Sequence, residues 1–205
     1  MQDRAVAVVG LGYVGLPLAC SFASTGLRTI GYDIVAAKAE KIDAGINPIE
    51  GDEPGLSELL SEVHAQGLLR ASTDPSVLKE ADAIFVCVDS PVDEQKRPDM
   101  KYLRSAVGTI ARNMQRGALL SIESTIPPGT MSGLVIPAMR EERGFEPGND
   151  YMLVHCPERV MPGRLLRNIK EYDRVLGAYD DRSAKAAVEY YKRIVQGRIH
   201  PTTLI

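Results

Sequence analysis

Apolar residues in this chain fall into two alternating patterns. Short, largely apolar runs recur at Ala5-Val-Ala-Val-Val9, Ala83-Ile-Phe-Val-Cys-Val88, Ala118-Leu-Leu-Ser-Ile122 and Tyr151-Met-Leu-Val-His155, with Ser121 and His155 the only polar positions. Runs of this length without polar alternation predict strands covered on both faces, as in a parallel sheet. Between them the period lengthens. Leu103, Ala106, Val107, Ile110, Ala111 and Met114 recur at i, i+3, i+4 and i+7 and lay one apolar stripe along a helix. Further helices are predicted from about Val35 to Ala44, over Leu56 to Ala65, from Gly129 to Arg143 and from Asp180 to Ile194, with Gly45 and Gly67 closing the first two. Asp74-Pro75 reads as the N-cap and first residue of a short helix. Weaker strand signals stand at Arg28 to Asp33, Leu68 to Ser72 and Arg174 to Ala178. Cys156 to Asp173 reads as a basic loop with a short helix, and Arg198 to His200 as an extended tail. Strands and helices in this rhythm imply an α/β, doubly wound parallel sheet with helices on both faces, right-handed crossovers and a short C-terminal αβ extension.

The first turn of that pattern carries chemistry. Gly10-x-Gly12-x-x-Gly15 joins the first strand to a helix, and the second strand ends at Asp33, 23 residues after Gly10. A dinucleotide site needs each part: one glycine for a tight turn, one for close backbone approach to the pyrophosphate, and one for helix-on-strand packing. Amides at the helix start face the phosphates, which assigns Tyr13 and Val14 with the three glycines to the cofactor. A carboxylate at Asp33 accepts the ribose hydroxyls and repels a 2′-phosphate, so NAD is expected over NADP. The alternative is a Gly-rich turn in another α/β protein, with Asp33 only capping a helix. Strand, turn, helix, strand and acid in order make this a Rossmann unit.

Composition narrows the remaining classes. Hydrophobic residues make up 44% and charged residues 25%, with a formal net charge of −3 and scattered basic residues, so no nucleic-acid partner is expected. No apolar stretch is long enough to cross a bilayer and no signal-like segment opens the chain, so no membrane partner is expected and a cytoplasmic location is. Cys20, Cys87 and Cys156 are odd in number and far apart, and His64, His155 and His200 lack ligand spacing, so a reducing compartment and no metal site are expected. His155 reads as structural and His64 as solvated.

In a doubly wound sheet the functional loops follow the strand carboxyl ends. The unusual residues stand there: Asp89-Ser-Pro-Val92, Glu123-Ser-Thr-Ile-Pro-Pro-Gly-Thr130 and Cys156-Pro-Glu-Arg-Val-Met-Pro-Gly163. Thr125 at a strand end can hydrogen-bond a substrate oxygen, Glu158 can accept a proton or hold a sugar hydroxyl, and Arg159 and Arg164 can hold a diphosphate. The plainer alternatives are a turn-initiating Thr125, a surface Glu158–Arg159 ion pair and a buried core thiol at Cys156.

These loops, together with Val9-Gly-Leu-Gly-Tyr-Val-Gly-Leu-Pro-Leu18, Gly31-Tyr-Asp33, Pro48-Ile-Glu50 and Glu53-Pro-Gly-Leu56, resemble the N-terminal domain of the UDP-glucose/GDP-mannose dehydrogenase family along essentially the whole chain. The Pro157-Glu-Arg-Val-Met-Pro-Gly163 form looks more like the branch acting on UDP-N-acetylhexosamines, UDP-N-acetylmannosamine in particular, than the UDP-glucose branch. The resemblance implies oxidation of the sugar C6 alcohol to a carboxylate with two NAD⁺, through an aldehyde held as a thiohemiacetal on a cysteine. It places Ser90 and Thr125 beside the nicotinamide and diphosphate; on their own chemistry, Thr125 and Glu158 are expected among the catalytic groups and Glu158, Arg159 and Arg164 at the UDP-sugar. Val88-Asp-Ser-Pro91 departs from the family's usual Val-Pro-Thr-Pro. The family's Lys, Asn and Cys segments and its sugar-nucleotide domain are expected beyond residue 205. Residues 1–205 are thus expected to bind NAD without completing the reaction, with Leu204 and Ile205 exposed and a homodimer for the full-length enzyme. A stand-alone NAD-binding regulatory module, a UDP-glucose 6-dehydrogenase and another dehydrogenase sharing the Rossmann start are the competing readings.

Overall fold

The computed structural model describes residues 5–51 and 53–204. Eight strands form one sheet: β1 (Ala5–Val9), β2 (Arg28–Tyr32), β3 (Leu69–Ser72), β4 (Ala83–Val86), β5 (Leu119–Ile122), β6 (Met152–His155), β7 (Arg174–Ala178) and β8 (Ile199–Thr203). They lie in the order β3-β2-β1-β4-β5-β6-β7-β8. The helices are α1 (Gly15–Ala23), α2 (Ala36–Asp43), α3 (Leu56–Ala65), α4 (Lys101–Asn113), α5 (Ile136–Arg143), α6 (Leu165–Glu171) and α7 (Asp181–Ile194). The chain runs outward from β1 through β2 to β3, then crosses back to β4 on the other side of β1. That reversal opens a crevice at the carboxyl ends of β1 and β4, where ligands of such sheets bind.

All of β1 is buried, and its alternating side chains feed two cores. Val6 and Val8 face the layer of α1, α3 and α7, where Phe85 packs between Phe22 (centroids 4.6 Å apart) and the edge of Tyr191 (5.6 Å). Ala7 and Val9 face α4 and α5, whose Leu103, Val107, Ile110 and Met139 fill the second core. Helix α1 has only Ser21 outside the buried set, because it lies between the sheet and α3, α6 and α7. The stripe expected on α4 is the face it buries.

The doubly wound architecture and its C-terminal αβ extension are as the sequence implies, with four local differences. First, β7 runs antiparallel to β6, and β8 runs parallel to β7. After β6 the chain does not travel back along the sheet: α6 is seven residues long and packs on α1, so β7 is entered from the end that β6 has just left. Second, the helix expected over Gly129 to Arg143 is broken into a widened turn, Met131–Val135, and then α5. Pro137 has no N–H for the helical ladder, and the Ile136 amide reaches back to Met131 O. Third, the short helix after Asp74 is a 3₁₀ helix, Pro75–Glu80, capped by Asp74 through Ser76 N at 2.9 Å. Fourth, the C-terminal tail is a strand. Leu204 is correspondingly half-buried against the second core, its amide donating to Ala178 O at 2.8 Å, in place of the expected exposure. Ile205 lies outside the described residues.

Candidate nucleotide-binding site

The glycine turn is built by exclusion. Gly10 adopts φ +86, and a Cβ there would sit 2.9 Å from Cys87 O. A Cβ on Gly15 would lie 1.8 Å from Gly10 O, so only glycine lets α1 start against the turn. Gly12 differs: a Cβ there meets no atom within 4 Å. The protein leaves that space open on the wall of a cavity shared with Asp33, which is where a pyrophosphate would need it.

Asp33 is 5% exposed and spends both oxygens locally. Oδ2 accepts Leu11 N at 2.8 Å, and Oδ1 accepts Val35 N at 2.9 Å. The carboxylate therefore ties the turn before α2 and clamps the glycine turn to β2; it does not cap the helix, since the N-cap of α2 is Val35 and no side chain caps it. Lys38 Nζ also reaches Oδ2, at 3.1 Å. Asp33, Lys38, Gly10 and Gly12 line a cavity of about 270 Å³ that opens along the strand ends toward Cys87, Val88 and Asp89. Ile34, Val35, Tyr102 and Ala106 give it apolar wall, beside Ser105 and Thr109. Ile34, at 77% exposed, and Tyr102, at 43%, leave a slot fit for a flat base. Sequence reasoning missed these wall residues and Lys38. The available signal was two bulky aliphatics directly after the acid, outside any apolar stripe.

Tyr13 and Val14 flank the cavity without lining it, and the Tyr13 hydroxyl donates to Glu50 O at 2.7 Å. The loops after β4, β5 and β6 are tied together beside it. Ser90 Oγ donates to Thr125 O at 2.7 Å, Ser124 Oγ to Val88 O at 2.6 Å, and His155 Nε2 lies 3.2 Å from Ser124 O. Ser90 is half-buried and Thr125 exposed at this edge. Burial lowers the His155 pKa, so its ring is neutral near pH 7. His64 is not simply solvated, since its Nε2 contacts Asp43 O at 2.9 Å.

Behind these loops lies a buried charge cluster. Glu158 is 8% exposed and pairs with Arg174, while its Oε1 accepts the amide of Arg159 at 2.7 Å. The surface Glu158–Arg159 ion pair is not formed: the exposed Arg159 guanidinium turns to Asp173 O instead. Arg164 is exposed at the start of α6. Arg174 Nη1 also stands 4.0 Å from Glu123 Oε2, and Glu123 Oε1 accepts from Ser121 Oγ at 2.7 Å and from the Tyr191 hydroxyl. Burial pushes the Glu123 carboxyl up to about 7, against the pull of Arg174. Burial likewise pushes Cys20 and Cys156 up to about 12 and raises Cys87 well above its ordinary value, so none of the three is a thiolate near neutral pH. Among the described residues no group of three His, Cys, Asp or Glu is placed to hold a metal ion, and no helix is long and apolar enough to cross a membrane.

A glycine turn with space left for a pyrophosphate, a carboxylate fixed at the end of β2 and a slot for a base define a dinucleotide-binding domain of the dehydrogenase type. The chain belongs to the UDP-glucose/GDP-mannose dehydrogenase family, whose NAD binding domain it matches over residues 4–195, and NAD is its cofactor. It is 39% identical over 197 residues to the UDP-N-acetyl-D-mannosamine dehydrogenase of Pyrococcus horikoshii, covering 96% of this chain and 46% of that protein. It is 38% identical to the NDP-N-acetyl-D-galactosaminuronic acid dehydrogenase of Ralstonia nicotianae, covering 95% and 46%. The solved structure of the Pyrococcus horikoshii enzyme superposes with a TM-score of 0.92 at 38% identity over 98% of this chain and 47% of that one. GDP-mannose dehydrogenase from Pseudomonas aeruginosa superposes at 0.91 and 26% identity, over 97% and 46%. The chain spans about half the length of the curated relatives it matches.

Proposed function

We propose that residues 1–205 are the NAD-binding half of a cytoplasmic, homodimeric nucleotide-sugar 6-dehydrogenase. The substrate is a UDP-N-acetylhexosamine, UDP-N-acetylmannosamine first among them, and the C6 alcohol is oxidised to a carboxylate with two NAD⁺. The observation that carries the cofactor half of this reading is the open space over Gly12 beside the anchored Asp33. The substrate half is supported by relatives named for N-acetylhexosamine nucleotides, at 38% to 39% identity.

Bound NAD supplies the two-electron oxidant. In this reading Gly10, Gly12 and the α1 amides hold the pyrophosphate, and Asp33 accepts the ribose hydroxyls as Lys38 gives way. Ile34, Val35 and Tyr102 exclude water from the base. Ser90 and Thr125, joined across the two loops, orient the nicotinamide end. Exposed Arg159 and Arg164 meet the UDP diphosphate, and Thr125 meets a sugar oxygen. Glu158, held in place by Arg174, fixes the loop that carries Arg159 on the sugar side.

The test is equilibrium binding of UDP-N-acetylmannosamine, UDP-N-acetylglucosamine and UDP-glucose to the NAD⁺-loaded chain, with Arg164→Ala as control. Binding of an N-acetylated sugar nucleotide that weakens about tenfold in the variant, the worth of one charge-assisted contact, supports the reading. Preference for UDP-glucose overturns the substrate assignment. NAD⁺ binding with no sugar-nucleotide binding leaves the regulatory NAD module standing.

A further inference from the structure

The loop between α2 and α3 touches both halves of the site. Asn47 Oδ1 accepts Ile49 N at 3.0 Å, and Ile49 and Leu56 pack into the first core at its two ends. Between those anchors, Glu50 O receives the Tyr13 hydroxyl from the glycine turn at 2.7 Å. Gly51 adopts φ +103, and a Cβ there would press on that hydroxyl at 2.9 Å. Two residues further on, Glu53 is 8% exposed, although nothing in its sequence surroundings marks it as a buried acid. Its Oε1 accepts Gly163 N at 2.5 Å and its Oε2 accepts Leu165 N at 3.3 Å, across 110 and 112 residues of chain. Those two amides flank Arg164 and close the loop that carries Glu158 and Arg159. A buried carboxylate on backbone amides makes charge-assisted bonds, and losing it leaves those amides unpaired.

We propose that the described residues of the α2–α3 loop, 47–51 and 53–55, act as a strap that couples the cofactor turn to the 156–164 loop, with Glu53 as the positioning residue for that loop. The assignment of the loop to a sugar nucleotide rests on the function proposed above; the mechanical coupling does not. A ligand that moves Tyr13 shifts its acceptor Glu50, and Glu53 lies three residues further along the same loop. Arg159 and Arg164 are then set in place when the turn is filled.

Amide hydrogen exchange by mass spectrometry on the purified chain tests this with Glu53→Gln and Tyr13→Phe. Without ligand, Glu53→Gln is expected to speed exchange over residues 157–165 about tenfold, by loss of a charge-assisted pair. Tyr13→Phe, whose lost hydroxyl touches none of those residues, is expected to speed the same segment about threefold while α4 exchanges as in the parent, since one neutral hydrogen bond is removed. A Tyr13→Phe protein with unchanged exchange over 157–165 overturns the strap. Saturating NAD⁺ is expected to slow both the 10–15 turn and the 157–165 segment in the parent, and only the turn in Glu53→Gln. Slowing confined to the turn in the parent also overturns the strap. No slowing of the turn at any NAD⁺ concentration instead rejects the cofactor reading, and the ligand-free comparison still decides the strap.

Discussion

The two ends of the site are held by different physics. The β1–α1–β2 end is shaped by what is absent: at Gly10 and Gly15 a methyl group would collide with backbone, and at Gly12 the protein keeps a space it does not use. The end behind β5, β6 and β7 is shaped by what is buried: two carboxylates and one guanidinium, 1% to 8% exposed, with a tyrosine and a serine bound to one of the acids. Steric shaping tolerates changes of pH and salt and fails abruptly when a methyl is added. Buried charge tolerates small changes of shape and fails when a partner or a proton is removed. The first arrangement suits a cofactor of constant form, and the second suits loops that meet a charged substrate.

The largest effect is expected from Arg174→Met. It leaves Glu158 and Glu123 buried without their cation, and Arg174 Nε and Glu123 Oε2 already lack hydrogen-bond partners among the described residues. Breaking such a pair costs about 3–5 kcal/mol, readable by urea unfolding. A loss under about 1 kcal/mol would show that the cluster is not the internal tie described above. Gly15→Ala comes next, at about 3 kcal/mol or more, because backbone stands where the methyl would go. Gly12→Ala sharpens the contrast within the turn. Stability should stay within about 0.5 kcal/mol of the parent while NAD⁺ affinity falls about tenfold. Equal destabilisation by the two alanines would erase the distinction between a packing glycine and a ligand glycine.

The pH response separates the two ends further. Glu123 moves from an ordinary 4.5 to about 7 on folding, so between those values the folded chain keeps a proton that the unfolded chain has lost. Its contribution is complete below about pH 4.5 and disappears as pH rises through about 7. His155 has the opposite sign, since its lowered pKa removes stability as pH falls. Glu123→Gln therefore isolates the carboxyl. The parent should lose about 1–3 kcal/mol relative to the variant between pH 4.5 and 7, measured by paired unfolding curves. A pH-independent difference between the two would remove the proton from Glu123.

The contrast also explains what the sequence made legible. The glycine turn, Asp33 and the apolar strands lie within short windows, and each residue type follows from a local demand, so turn, strand and cofactor class could be read together. The stripe of α4 was legible for the same reason. The charge cluster was not, because Glu123 and Tyr191 are 68 residues apart and Glu53 and Gly163 are 110 apart. In sequence Glu158 and Arg159 are adjacent opposite charges and suggest a surface pair. Only the reversed entry of β7 brings Arg174 beneath Glu158. Lys38 was illegible in another way: a lysine in the first turn of a helix looks solvated until the strand before it is known to end in Asp33.

The central claim is that the space over Gly12 and the carboxylate of Asp33 form an NAD site. Calorimetric titration of the chain with NAD⁺ and NADP⁺, repeated on Asp33→Ala with its melting temperature checked in parallel, tests it most directly. NAD⁺ is expected to bind in preference to NADP⁺. Loss of Asp33 should weaken NAD⁺ about 10- to 100-fold and remove the preference, since charge-assisted ribose contacts go and Lys38 is freed. Equal NAD⁺ affinity in a folded Asp33→Ala protein would contradict it.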